Sequence, residues 1–252
     1  MDINLDEIVK PDDIDLSSFS IQNHLDSTIW NKTKGGYQLK PEIRSKLLLI
    51  ADDFFDSLEL DVIDIEDVIL TGSLANYNWS SLSDIDLHIL LDFEDIDVDQ
   101  EIVKQYFDAK KSIWNNEHDI KIYGYDVEIY VQDIKEKHTS SGIYSVLHNK
   151  WIKVPTKEND KISNRDLIKS KASHYMNIID KLEEFYDKGQ YSYLIRKIDK
   201  LKTKIKNTRQ KGLDREGEFS PENLIFKVLR RTGYVEKLFD LQLKSYDKSF
   251  SL

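Results

Sequence analysis

The period of the apolar residues changes along the chain. Pro41 suits the first position of a helix. Beyond it Ile43, Leu47, Ile50, Ala51, Phe54 and Leu58 recur at steps of three and four, which predicts an amphipathic helix. "DVILTGS" (67–73) is a short β-rich run that ends in Gly-Ser. "SDIDLHILLDF" (83–93) alternates, with Ile85, Leu87, Ile89 and Leu91 on one face of a strand. Residues 100–116 return to helical spacing through Ile102, Val103, Tyr106, Phe107 and Ile113. "DIKIYGYDVEIYVQD" (119–133) predicts two strands about a tight turn at Tyr123-Gly124-Tyr125.

Past "SGIYSVLHNKWIKVP" only the helical period remains. Ser163 and Asp166 form a capping pattern, and Leu167, Ala172, Tyr175, Ile179, Leu182 and Tyr186 follow it. Leu194, Ile198, Leu201 and Ile205 continue after Gly189. Ser220 and Pro221 open another helix, and Gly233 breaks it before a final short one. The pattern is that of an α+β protein: strands and helices mixed in residues 37–155, then a helical domain in 162–252. Residues 1–36 read as an irregular N-terminal segment, and the polar stretch 154–161 as the connector.

Composition narrows the picture. At 252 residues and 40% hydrophobic content the chain can bury a real core. With no cysteine it has no disulfide, thiolate metal site or cysteine nucleophile. No run of about 18 apolar residues is present, so no membrane span is expected. The acidic N-terminus lacks a signal-peptide core, which predicts a cytoplasmic location. The net charge of −10 conceals an asymmetry. Residues 1–100 hold 23 Asp and Glu against 6 Lys and Arg, and residues 101–252 hold 23 against 30. An acidic front half can host cations, and a basic back half can meet phosphates.

Two acids stand out against this background. Asp84 and Asp86 lie one residue apart in a strand otherwise made of Ile and Leu, so both point to one face. Two adjacent carboxylates in low dielectric repel by several kcal/mol unless a cation lies between them. Mg²⁺ takes oxygen ligands and would remove the conflict. Glu128 on a neighbouring strand is the expected third carboxylate, because Val127, Ile129 and Val131 occupy the opposite face. Asp126 shares its face but stands nearer the turn. No EF-hand spacing, H-E-x-x-H, Walker loop or G-x-G-x-x-G is present, and His88 reads as a partly buried strand residue.

Gly72 lets the strand turn sharply and come close to a ligand. If a helix starts at Ser73, its free N–H groups and the hydroxyl can take phosphate oxygens. The series Gly72-Ser73, ten residues, Asp84-Ile85-Asp86-Leu87 resembles the signature of the DNA polymerase β-like nucleotidyltransferase superfamily. The resemblance covers roughly residues 40–155, where it implies a nucleotidyltransferase-like core with a small mixed sheet flanked by helices, and a helical domain after the core is also a family habit. "SGIYSVLHNKWIKVP" and "FKVLRRTGYVEKLFDL" resemble small predicted nucleotidyltransferases carried by tailed phages, which would place the chain in a bacterial or phage-infected cytoplasm. The resemblance implies an enzyme that moves a nucleoside monophosphate from an NTP to a hydroxyl and releases pyrophosphate. It implies two Mg²⁺ ions, with Mn²⁺ as a substitute, held by Asp84, Asp86 and Glu128. Glu128 would also receive the acceptor's proton, and Gly72 and Ser73 would hold the β- and γ-phosphates.

Tyr144, Ser145 and Lys153 follow the third acid and could line a nucleotide pocket. Trp151 reads as a core anchor rather than a stacking platform. Residues 196–215 hold nine Lys and Arg against Asp199 and Asp214, an exposed basic face that could receive the triphosphate or an RNA acceptor. Other readings of the same residues are a catalytically silent nucleotide- or nucleic-acid-binding module, a metal-dependent nuclease, and an antitoxin-like partner.

Overall fold

A computed structural model describes residues 8–60, 63–96, 99–138, 140–157, 162 and 164–251. The chain divides into two compact units, residues 20–160 and residues 1–19 with 161–252.

The first unit is built on strands and two helices. In chain order these are β1 (Trp30–Thr33), β2 (Gly36–Leu39), α1 (Pro41–Asp56), β3 (Asp67–Thr71), β4 (Ile85–Leu91), α2 (Gln100–Glu117), β5 (Lys121–Ile122), β6 (Tyr125–Asp133), β7 (Ile143–Ser145) and β8 (Lys150–Lys153). β1 and β2 form a separate hairpin, and the other six strands make one sheet in the order β5-β6-β4-β3-β7-β8. β4 and β6 run parallel and the remaining neighbours antiparallel, so the sheet is mixed. The turn between β5 and β6 places Tyr123 (φ 51°) and Gly124 (φ 90°) in succession at positive φ. That is the twist a two-residue hairpin needs.

The two-residue period sorts the faces. Ile85, Leu87, Ile89 and Leu91 are fully buried and pack with Val68, Leu70 and Ile129 against Leu47 and Phe54 of α1 and Phe107 of α2. Arg44 pins α1 by donating to the carbonyls of Val146 and Leu147, both at 2.7 Å. The opposite face carries Thr71, Asp86, His88 and Glu128, with one small apolar cluster of Ile69, Leu90 and Ile143.

The second unit holds α3 (Arg165–Asp187), α4 (Tyr191–Glu216), α5 (Pro221–Arg231) and α6 (Tyr234–Phe250). Ser220 caps α5 by accepting from the Asn223 N–H, with Pro221 at the first position, as the sequence predicts. Among the described residues, no helix is long and apolar enough to cross a membrane.

Several expectations change. The segment read as irregular, residues 1–36, is shared between the units. Ile14, Leu16 and Phe19 insert into the helical core, and Val9 exchanges two 3.0 Å hydrogen bonds with the Asn177 side chain on α3. Leu25, Ile29 and Trp30 are buried in the sheet unit, and β1 begins at Trp30. These side chains dock one by one, so no period announces them. Likewise "IYSVLHNKWIK" is a hairpin, β7 and β8. The helix after Gly233 is not short, since α6 runs for 17 residues. On α3 Ile168 is buried whereas Leu167 is 45% exposed, one residue off the expected stripe. The Ser163 cap lies outside the described residues.

Candidate functional site

The acids are assembled by register. Asp86 on β4 faces Thr71 on β3 and Glu128 on β6, so these three positions form a row across the middle of the sheet. Asp84 precedes β4 by one residue and lines a cleft of about 410 Å³ at the β6 edge with Asp126, Glu128, Tyr130, Lys111 and Asn115. All three expected ligands therefore lie at the same end of the sheet. Asp126 is tied to Lys121 of β5, which leaves Glu128 the better third carboxylate.

Gly72 has a sharper role than a flexible corner. Its φ is +73°, and a Cβ there would stand 1.8 Å from Oδ2 of Asp86. A side chain at this position meets both left-handed strain and a direct clash. The close approach is thus to the carboxylate itself, which sits against the bare backbone where β3 ends. Ser73 opens only a three-residue 3-10 turn, Ser73–Ala75, and not the helix expected there. The Ser73 hydroxyl donates to Ser83 Oγ at 2.8 Å, and the Ser80 N–H donates to the same oxygen at 3.0 Å. Ser73 therefore braces the loop that leads into Asp84.

A second brace escapes sequence reading. Asn76 is buried; its side-chain amide donates to the Gly72 carbonyl at 2.7 Å, and its Oδ1 accepts from the Ser141 hydroxyl at 2.7 Å. Gly142 fits beneath it, where a Cβ would stand 2.1 Å from the Ala75 carbonyl. Asn115 of α2 covers the open edge of β6, donating to the Ile129 carbonyl and accepting from the Ile129 N–H, both at 3.3 Å. A polar residue far along the chain from its partner carries no local signal of such roles.

Glu128 accepts a hydrogen bond from the Tyr130 hydroxyl. The Tyr130 ring stacks on His88 at 4.8 Å between centroids, and the Lys111 ammonium lies 4.2 Å from its centre. Burial first, then repulsion from a protonated His138 and from the Lys111 ammonium, push the His88 imidazole down to about 4, so it is neutral near pH 7. Its Nδ1 is buried without a hydrogen-bond partner. Oxygen donors at adjacent strand positions suit Mg²⁺ by chemistry. The side chains have not closed into a cage, however: among the described residues no three His, Asp or Glu stand together as a metal-holding group.

Two of the remaining expected pocket residues, Tyr144 and Ser145, lie inside the fold. Tyr144 is 1% exposed, on the core face, edge-on to Trp30 and Trp151, with its hydroxyl on Asn149. Ser145 is fully buried and donates to Asp67 at 2.8 Å. Neither offers surface to a nucleotide. Lys153 donates from the edge strand β8 to the carbonyl of Ser140, whose hydroxyl accepts from Asn76, so it stands beside the loop that follows Gly72. Trp151 stacks on Trp30 at 4.8 Å and donates to the Tyr37 carbonyl, a core anchor as expected. The basic face of 196–215 lies on α4 and is partly spent within its own unit. Arg215 pairs with Glu216 and Glu222, Arg209 donates to Asn223, and Lys202 donates to Gln242.

Comparison with protein-family models, with curated proteins and with solved structures finds no match for this chain. The functional reading rests on the geometry above.

Proposed function

We propose that the chain is a nucleotidyltransferase, moving a nucleoside monophosphate from an NTP to a hydroxyl on RNA, on another nucleotide or on a protein. The observation that carries this reading is the register row, with Asp86 opposite Glu128 and packed against the glycine that ends β3. An acid kept beside another acid, at a corner where a side chain is excluded, is costly for folding and useful for binding cations.

Asp84, Asp86 and Glu128 would hold Mg²⁺, which supplies neutralisation of the triphosphate charge and lowers the pKa of the acceptor hydroxyl. The acceptor oxygen attacks the α-phosphorus, the bond to the bridging oxygen of the β-phosphate breaks, and pyrophosphate leaves. Glu128 receives the acceptor's proton, once its carboxylate turns from the Tyr130 hydroxyl. The loop 72–76, braced by Ser83 and Asn76, fixes the floor on which the phosphates rest. Without that brace Asp86 would lose its backing.

The test is incubation with each α-labelled NTP, Mg²⁺, and cell RNA or lysate. Label should pass to one acceptor class and be lost in Asp86→Asn with the circular dichroism unchanged. Transfer at wild-type rate by Asp86→Asn would sink the assignment. The second reading, a silent binding module, is favoured by the Tyr130 contact that occupies Glu128; it predicts NTP binding with no transfer to any acceptor.

A further inference from the structure

α6 carries two apolar faces. Leu238, Leu241 and Ser245 are buried in the helical unit. Phe239, Leu243, Tyr246 and Phe250 recur at spacings of four, three and four and are 52%, 61%, 55% and 74% exposed. At 3.6 residues per turn this second row is turned roughly 130° from the first. Scattered exposed apolar residues are ordinary, but four large ones in a continuous row are not. The Tyr246 and Phe250 rings already touch, with centroids 4.7 Å apart. At Phe239 the row runs into a groove of about 610 Å³ that Phe226 of α5 and Leu213 of α4 also line.

The two borders of the row differ in charge. On one side, at the Phe239 end of the row, α4 presents Lys202, Lys206 and Arg209 along the groove beside one acid, Asp199, with the Lys202 ammonium 3.6 Å from the centre of the Phe239 ring. On the other side α6 itself presents Glu236, Asp240 and Asp247, with one base, Lys244, between the last two, all exposed.

We propose that this face joins two copies of the chain, α6 against α6, about a two-fold axis running along the helices. A two-fold axis in that direction lays the acidic border of each copy over the α4 cations of the other. An axis perpendicular to the helices would instead set cations on cations and acids on acids. Symmetry makes such an interface self-complementary, apolar row on apolar row. The area is sufficient. Four side chains of roughly 150–200 Å² each, more than half exposed, offer about 450 Å² per copy, or about 900 Å² for the pair. The charged borders carry the total past the roughly 1,000 Å² that a specific interface needs.

Sedimentation velocity over about 1–100 µM tests this, a range in which an association of micromolar strength is visible. The chain should sediment at twice its 29.6 kDa. The double variant Leu243→Glu, Phe250→Glu should be monomeric throughout with unchanged circular dichroism. Should it fail to fold, Leu243→Ser alone should weaken association at least tenfold. Reversing the acidic border with Asp240→Lys and Asp247→Lys should weaken the dimer several-fold at low salt and little at about 0.5 M salt, because such charges are screened. A chain that stays monomeric to about 100 µM overturns the proposal, including one that instead floats with lipid vesicles. So does a dimer indifferent to Leu243→Glu and Phe250→Glu.

Discussion

The polar face of the sheet has two ends, and they treat their acids in opposite ways. Asp67 starts β3 and is buried, but donors meet it: the Ser145 hydroxyl at 2.8 Å and the Val68 N–H at 2.7 Å. The same Ser145 oxygen accepts from the His148 N–H at 2.9 Å, so one small network closes on itself. At the exit of β3 like charges come together instead. Asp86 faces Glu128 across the register and Asp84 stands two residues before it, with Gly72 pressed against the carboxylate. Asp67 is held inside one closed network; at the other end, under the proposed function, a bound cation would relieve the like charge of Asp84, Asp86 and Glu128.

The largest effect is expected from Gly72→Ala. Left-handed strain and a contact of 1.8 Å to Asp86 should together cost about 3 kcal/mol. Gly124→Ala is the control, because its φ is +90° yet nothing lies within 4 Å of the added carbon. It should cost only about 1 kcal/mol. Equal losses in urea titrations would mean that the approach of Asp86 to Gly72 carries no weight.

At the other end Ser145→Ala removes a donor from Asp67 and the acceptor of the His148 N–H. Buried groups left unpaired in this way should cost about 2 kcal/mol. A loss below about 0.5 kcal/mol would show that water replaces the hydroxyl, and Asp67 would lose its structural standing.

Asp86→Asn should do the opposite. Removing one of three like charges should raise stability by about 0.5–1 kcal/mol in metal-free buffer, while transfer activity disappears. Added Mg²⁺ should raise the melting temperature of the wild type and leave that of the variant unmoved. Destabilisation by Asp86→Asn would place this acid with Asp67, as architecture.

How much of this the sequence disclosed follows from the range of the forces. The alternation at Ile85, Leu87, Ile89 and Leu91 and the steps from Ile43 to Phe54 are written locally, because burial acts on each side chain in turn. Asp84, Asp86 and Gly72 were legible for the same reason, as charges and a glycine out of keeping with a core strand. The Asn76 and Asn115 contacts were not, because each is a single polar side chain meeting backbone brought close by folding. Tyr144 and Ser145 show the converse error. Position just after the third acid suggested a pocket, but a strand alternates, and both sides of β7 are covered.

The smallest effect belongs to Tyr130→Phe, and it bears most directly on Glu128. The substitution removes the hydroxyl that Glu128 accepts from, while the ring keeps its stacking on His88 and its place beneath Lys111. Stability should fall by no more than about 1 kcal/mol, the worth of one hydrogen bond. If Glu128 is a metal ligand held back by this contact, the freed carboxylate should lower the Mg²⁺ concentration for half-maximal thermal shift several-fold. The gain should vanish in Tyr130→Phe combined with Glu128→Gln. An unchanged Mg²⁺ requirement would leave Asp84 and Asp86 as a two-carboxylate site and Glu128 as a partner of Tyr130 alone.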